Sequence, residues 1–262
     1  MIVNHLLTLP DAILIFFAAM IGGAINSVAG GGSFISFPAL LFTGVESITA
    51  NATNTVALWP GSMASAGAYR NELDAQKHVL LSMGFSSLLG GIIGAQLLLS
   101  TRPATFERLL PYLLLTATLL FTFGGAFTSK FKSRVGEVKA PGWVGQVGVC
   151  LLQFVIAVYG GFFGGGIGIL MLATLSLMGM THIHTMNALK TVLGSLINGV
   201  AVVMFVIAGK VIWPQAVVMI AGAIIGGYFG AHYAKKMEPA KIRLFVILIG
   251  FSMTAWFFYR YR

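Results

Sequence analysis

Eight stretches of this chain are apolar for nearly the length that crosses about 30 Å of hydrocarbon, or for more. They are residues 11–30, 49–69, 79–99, 109–128, 143–163, 185–208, 212–234 and 244–259. No water satisfies backbone groups inside a bilayer, so a spanning segment must be a helix or part of a closed barrel. Barrel strands alternate apolar and polar residues over segments of about ten, and these runs do not alternate. With 57% hydrophobic against 9% charged residues and a mean hydropathy of +0.90, the chain reads as an all-α, polytopic membrane protein. The expected location is the cell membrane, the inner one in a bacterium, with several passes through the lipid bilayer.

The first run is expected to be retained, since it lacks the basic segment and small-residue cleavage site of a secretory signal. A lone Cys150 gives no disulfide framework and no cysteine metal cluster; it reads as a small core residue. The net charge of +9 does not imply nucleic acid, because the basic residues sit between the apolar runs as orientation signals do. Lys130, Lys132, Arg134 and Lys139 form one such group, and Lys235, Lys236, Lys241 and Arg243 another. Both are expected on the cytoplasmic side.

The chain also repeats itself. NATNT from Asn51 returns as NALKT from Asn187, GGIIGA from Gly90 as GGYFGA from Gly226, and Pro103-Ala104 as Pro239-Ala240, each 136 residues on (187 − 51 = 226 − 90 = 239 − 103). The glycine triplets at 30–32 and 164–166 are 134 apart (164 − 30). Counting crossings between the two cytoplasmic loops makes each half a broken helical hairpin plus three transmembrane helices. The second half is then inverted relative to the first, with both ends outside. The expected units are residues 1–128, a basic linker at 129–141, and residues 142–262.

Matching interruptions in inverted halves are the pattern of secondary transporters, which bind substrate near the midplane where broken helices meet. Gly30, Gly31 and Gly32 in the first half, and Gly164, Gly165 and Gly166 in the second, can end one helix and start another at membrane depth. Unpaired N–H groups and the positive end of a helix dipole favour an anion there. Ser33 is placed to cap the new helix or to touch a ligand. The same glycines would also serve close helix packing.

All seven acidic residues, Asp11, Glu46, Glu72, Asp74, Glu107, Glu137 and Glu238, fall at or beyond the ends of the runs. Of the Lys and Arg residues only Lys190 lies within one. A cation in the membrane without a carboxylate is costly and marks a functional site by default, so an anionic ligand is expected. At about 100° per residue, Asn187, Lys190, Thr191, Gly194 and Asn198 share one helix face. Asn51, Asn54, Thr55, Ser62, Ser65 and Tyr69 form the corresponding stripe in the first half. Bonding between helices would also account for the stripes, and snorkelling toward the interface for Lys190. His182 and His184 read as a solvated pair, the rows Ser86, Gly90, Gly94 and Gly222, Gly226, Gly230 as packing faces, and Trp143, Trp213, Trp256 and Tyr259 as interfacial anchors.

GGGSFISFPALLFTGVESITANATNT, the later GGFFGGGIG followed by NALKT, and INGVAVVMFVIAGKVIW resemble the TauE/SafE family, the sulfite exporters, over nearly the whole chain. Members are linked to small sulfur-containing anions such as sulfite, sulfoacetate and other sulfonates. The resemblance implies motif residues Gly30, Gly31, Gly32, Pro38, Asn51, Thr53 and Asn54, then Gly164, Gly166, Asn187, Lys190 and Asn198. The second half has Leu172 where Pro38 would recur.

The expected function is therefore secondary transport, as an exporter, of a small anion by alternating access, with a sulfur oxyanion or organosulfonate favoured by the resemblance. A proton or sodium is the candidate coupling ion, and no cofactor is implied. An anion channel with the same lining is the alternative. An intramembrane enzyme is disfavoured, because Cys150 lies apart from both polar stripes and no acid lies in the membrane to orient a histidine. A pure scaffold would not need the lysine.

Overall fold

The computed structural model describes residues 7–28, 31–68, 77–135, 143–178, 180, 182–233 and 239–260. Its helices are α1 (Leu9–Val28), α2 (Ser33–Phe42), α3 (Ser47–Ala68), α4 (Lys77–Ser100) and α5 (Pro103–Val135). After these come α6 (Trp143–Phe162), α7 (Ile167–Leu177), α8 (Ile183–Ile207), α9 (Trp213–Tyr233) and α10 (Pro239–Arg260). Each of the eight long apolar runs becomes a helix. Among the described residues five of them, in α1, α4, α5, α6 and α8, are long and apolar enough by themselves to cross a membrane.

Short helices α2 and α7 follow the two glycine triplets. At about 1.5 Å per residue they reach only about half of the hydrocarbon thickness. In α2 the face against the protein is almost complete, with Phe34, Ser36, Phe37, Pro38, Ala39, Leu40 and Leu41 all buried. Pro38 lies inside α2, so the break comes from the glycines and not from the proline. Leu172 takes the matching place inside α7, which forms without a proline.

Neighbouring helices occur in corresponding pairs. The most extensive contacts are α1 on α9 and α4 on α6; α3 packs on α9 as α8 packs on α4; α2 meets α10 as α7 meets α5. Each pair turns into its companion when α1–α5 are exchanged for α6–α10. The glycine rows lie in the two largest interfaces. A Cβ on Gly226 would overlap the Met20 carbonyl oxygen, and one on Gly90 would come within 2.6 Å of the Phe154 carbonyl oxygen. These contacts correspond at both repeat offsets, since 226 − 90 = 136 and 154 − 20 = 134. Backbones touching at this distance gain dispersion that no larger residue permits.

Outward faces are apolar as well. Phe85, Leu151, Val155 and Tyr228 are all more than half exposed, a surface of the kind that faces lipid in a membrane protein. Inside, Phe37 of α2 stacks on Phe257 of α10 at 6.5 Å and meets Phe163 edge-on at 6.1 Å. This cluster holds the first short helix against the second glycine break.

Candidate functional site

The first break is built around one amide. Gly31 takes a left-handed φ of 93°, which an L side chain adopts only with strain. The next N–H, of Gly32, donates to Oδ1 of Asn26 in the last turn of α1 at 2.8 Å. Gly32 is also pressed against α1, where a Cβ would overlap the Gly22 carbonyl oxygen. The first bonds of α2 run from the N–H of Phe34 to the Gly31 carbonyl, and from those of Ile35 and Ser36 to the Gly32 carbonyl. Gly32 therefore holds the cap position and no side chain caps the helix. Ser33 is the first helical residue, so the expected serine cap is corrected; its backbone is already in the turn that a capping side chain would have to precede.

At the second break Gly164 and Gly166 have φ values of 82° and 78°. α7 starts at Ile167 with Gly166 as an uncapped N-terminus, and its first N–H groups have no side-chain acceptor among the described residues.

Both breaks open on one cavity of about 300 Å³. Of the sequence-predicted residues, Gly31, Ser33, Thr55, Gly164, Gly165, Gly166, Asn187, Lys190, Thr191 and Asn198 line it, together with Ser62 and Gly194. Lys190 runs its stem past Gly168, where a Cβ would meet Cδ at 3.2 Å. Among the described residues it has neither a hydrogen bond nor an ion pair. Thr55 and Thr191 donate their hydroxyl hydrogens to the carbonyls of Asn51 and Asn187, at 2.8 and 2.7 Å. They turn lone pairs, not donors, toward the cavity.

Three predicted residues do not line it. Gly32 is occupied by the α1 contact. Asn51 is buried and donates from Nδ2 to the Phe162 carbonyl at the end of α6, at 3.3 Å. Asn54 is buried, and its Oδ1 has no partner among the described residues. Thr53, the other motif residue of α3, accepts from the Ile212 N–H at 3.1 Å and ties α3 to the segment before α9. The matching helices α3 and α8 are thus unlike in use: of NATNT, Asn51 and Thr53 bond to other segments and only Thr55 lines the cavity, whereas Asn187, Lys190 and Thr191 of NALKT all line it. Gly30 and Tyr69 lie outside the described residues, as do the side chains of Ser65 and His184, while His182 is exposed.

Asn26, Phe121, Phe163 and Gly168 line the cavity without having been singled out from the sequence. For Asn26 the available signal is an amide inside an apolar run, four residues before the glycines. For the others, aromatic and glycine residues in apolar helices carry no distinguishing signal.

At the crossing of α3 and α8, Trp59 Nε1 donates to the Ser195 carbonyl at 3.0 Å. Gly199 leaves room for the ring, 3.2 Å from where a Cβ would be. Trp59 and Ser195 are themselves 136 residues apart, so equivalent positions of the two halves touch there.

The family model described as sulfite exporter TauE/SafE matches residues 15–257, which include both breaks and both polar helices. The chain belongs to the TauE/SafE family. This TauE/SafE protein is 28% identical over 244 residues to a Haemophilus influenzae protein described as a probable membrane transporter, covering 92% of each chain. It is 27% identical to the Escherichia coli K12 protein YfcA, covering 92% of this chain and 87% of that one, which carries the same description. To the Sinorhizobium protein ORF9, again so described, it is 27% identical, with 91% and 89% covered. No solved structure matches the chain. Family and relatives together make this TauE/SafE protein a multi-pass membrane protein of the transporter class.

Proposed function

We propose that this TauE/SafE protein is a secondary transporter that exports a small sulfur oxyanion or organosulfonate, such as sulfite or sulfoacetate. Lys190 carries the reading: it lines the cavity shared by both helix breaks and has no anionic partner among the described residues. A lysine inside a bilayer costs about 2.5–3.5 kcal/mol on insertion scales, and a bound anion offsets that. The uncapped start of α7 adds N–H groups and dipole of the favourable sign. Substrate would sit where the two halves meet, and rocking of one half against the other would expose it to each side in turn.

The direct test is flux of radiolabelled sulfite and sulfoacetate from proteoliposomes. The expected result is saturable exchange that unlabelled substrate on the far side accelerates; an unsaturable current instead would make the protein an anion channel. The inverted arrangement of the halves is part of the same proposal, supported by the corresponding helix pairs. A cysteine placed at Ser100, exposed at the end of α4, should react with an impermeant reagent from outside in a Cys150→Ser background. One placed at Lys236, outside the described residues, should not. Labelling of both from the same side would rule out the inverted arrangement.

A further inference from the structure

We propose that Asn26 is a ligand for the transported anion, contributed by α1 to the cavity that Lys190 also lines and oriented by the backbone of the first break. The proposal rests on reading the cavity as an anion site and adds a residue that neither repeat nor motif marks.

Amide orientation is the decisive point. A backbone N–H can only donate, so the Asn26 atom at 2.8 Å from the Gly32 nitrogen must be the oxygen. That fixes the other end of the amide as the NH2 group. Asn26 lines the cavity, and among the described residues nothing accepts from its Nδ2. The NH2 group of this cavity-lining residue is therefore left with two hydrogens to donate and no lone pair. Such a group suits the oxygens of an anion. The NH2 group offers nothing to a coupling cation, which would need the amide oxygen, one of whose two lone pairs Gly32 already holds.

The repeat makes the placement more telling. At the offset of 134, position 26 corresponds to Gly160, which has no side chain to contribute. Lys190 corresponds at 136 to Asn54, which is buried away from the cavity. Each half thus supplies one polar group that the other lacks, and a sulfonate between them would be held by an ammonium from α8 and an amide from α1. A neutral amide adds donors without a second charge, so the bound anion keeps an affinity from which it can leave. The same amide anchors Gly32, so ligand and helix break share one side chain.

The test is calorimetric titration of the purified protein with sulfoacetate, comparing wild type, Asn26→Asp and Lys190→Met. Aspartate has the shape of asparagine and keeps an acceptor for Gly32, but replaces the donors with anionic oxygen. Affinity should fall about tenfold to a hundredfold, the range for a hydrogen bond to a charged group. Unchanged affinity in Asn26→Asp, alongside a loss in Lys190→Met, would overturn the role of Asn26 and leave the anion site standing. Absence of binding by wild type to sulfite, sulfoacetate and methanesulfonate alike would overturn both. Should Asn26→Asp fail to fold, Asn26→Cys with Cys150→Ser can be labelled with an anionic methanethiosulfonate. Saturating sulfoacetate should slow that reaction several-fold, and equal rates with and without it would again remove Asn26 from the site.

Discussion

Replacing Lys190 with methionine is expected to abolish anion binding while leaving the fold intact. Methionine keeps the length and apolar stem that pass Gly168 and removes only the charge. Removing one partner of a buried charge pair costs about 2–5 kcal/mol, at least about thirtyfold in affinity. The unliganded protein should melt no lower than wild type, because an ammonium without a carboxylate partner is an unfavourable group to hold in hydrocarbon. Arginine should restore binding in part, since its planar fork places its donors differently from a compact ammonium. Calorimetry with sulfoacetate reads both effects. A lysine that merely snorkels to the interface would give unchanged affinity in the methionine variant, and that outcome would remove the main physical reason for an anionic substrate.

Gly226→Leu is expected to destroy the folded protein without preventing membrane insertion. α1 and α9 meet backbone to backbone at this residue, where even a Cβ would overlap the Met20 carbonyl oxygen. A leucine can be accommodated only if the helices separate, at a cost beyond the roughly 1–3 kcal/mol of ordinary overpacking. Gly90→Leu should behave alike, because Gly90 meets α6 in the same way at Phe154. Gly148→Ala is the control: nothing lies within 4 Å of its Cβ position, so that variant should be neutral or slightly stabilising through helix propensity. The readout is the monodisperse fraction and melting temperature in detergent. A Gly226→Leu protein that melts like wild type would mean that α1 and α9 do not pack so closely.

The roles of the polar residues separate in a way that sequence periodicity does not anticipate. Asn51 and Asn187 occupy equivalent positions in matching motifs, yet one donates to the Phe162 carbonyl and the other lines the cavity. Asn54 and Lys190 are likewise equivalent, yet only the lysine lines it. A helical wheel places side chains on a face of one helix. It says nothing of what that face meets, which depends on how the helix is rotated and crossed by its neighbours. Asn26 shows the converse: it stands outside both stripes, yet it lines the cavity while its oxygen holds Gly32.

Sequence alone determined the apolar runs, the two glycine breaks, the repeat offsets and the isolation of one lysine among charges otherwise at the ends of the runs. These are properties of composition and order along the chain, and hydrocarbon, which forbids unpaired backbone and unpaired charge, turns them directly into structure. Tertiary structure decided which of the polar groups share a cavity, and that Gly32 rather than Ser33 holds the cap of α2. It also decided that Thr55 and Thr191 spend their hydroxyl hydrogens on their own helices. The sharing of a cavity depends on distances between segments far apart in the chain, set by side-chain volumes packed together, such as the Phe37, Phe163 and Phe257 cluster that brings α2 to the second break; the cap and the threonine bonds are local choices among conformations that the sequence leaves open.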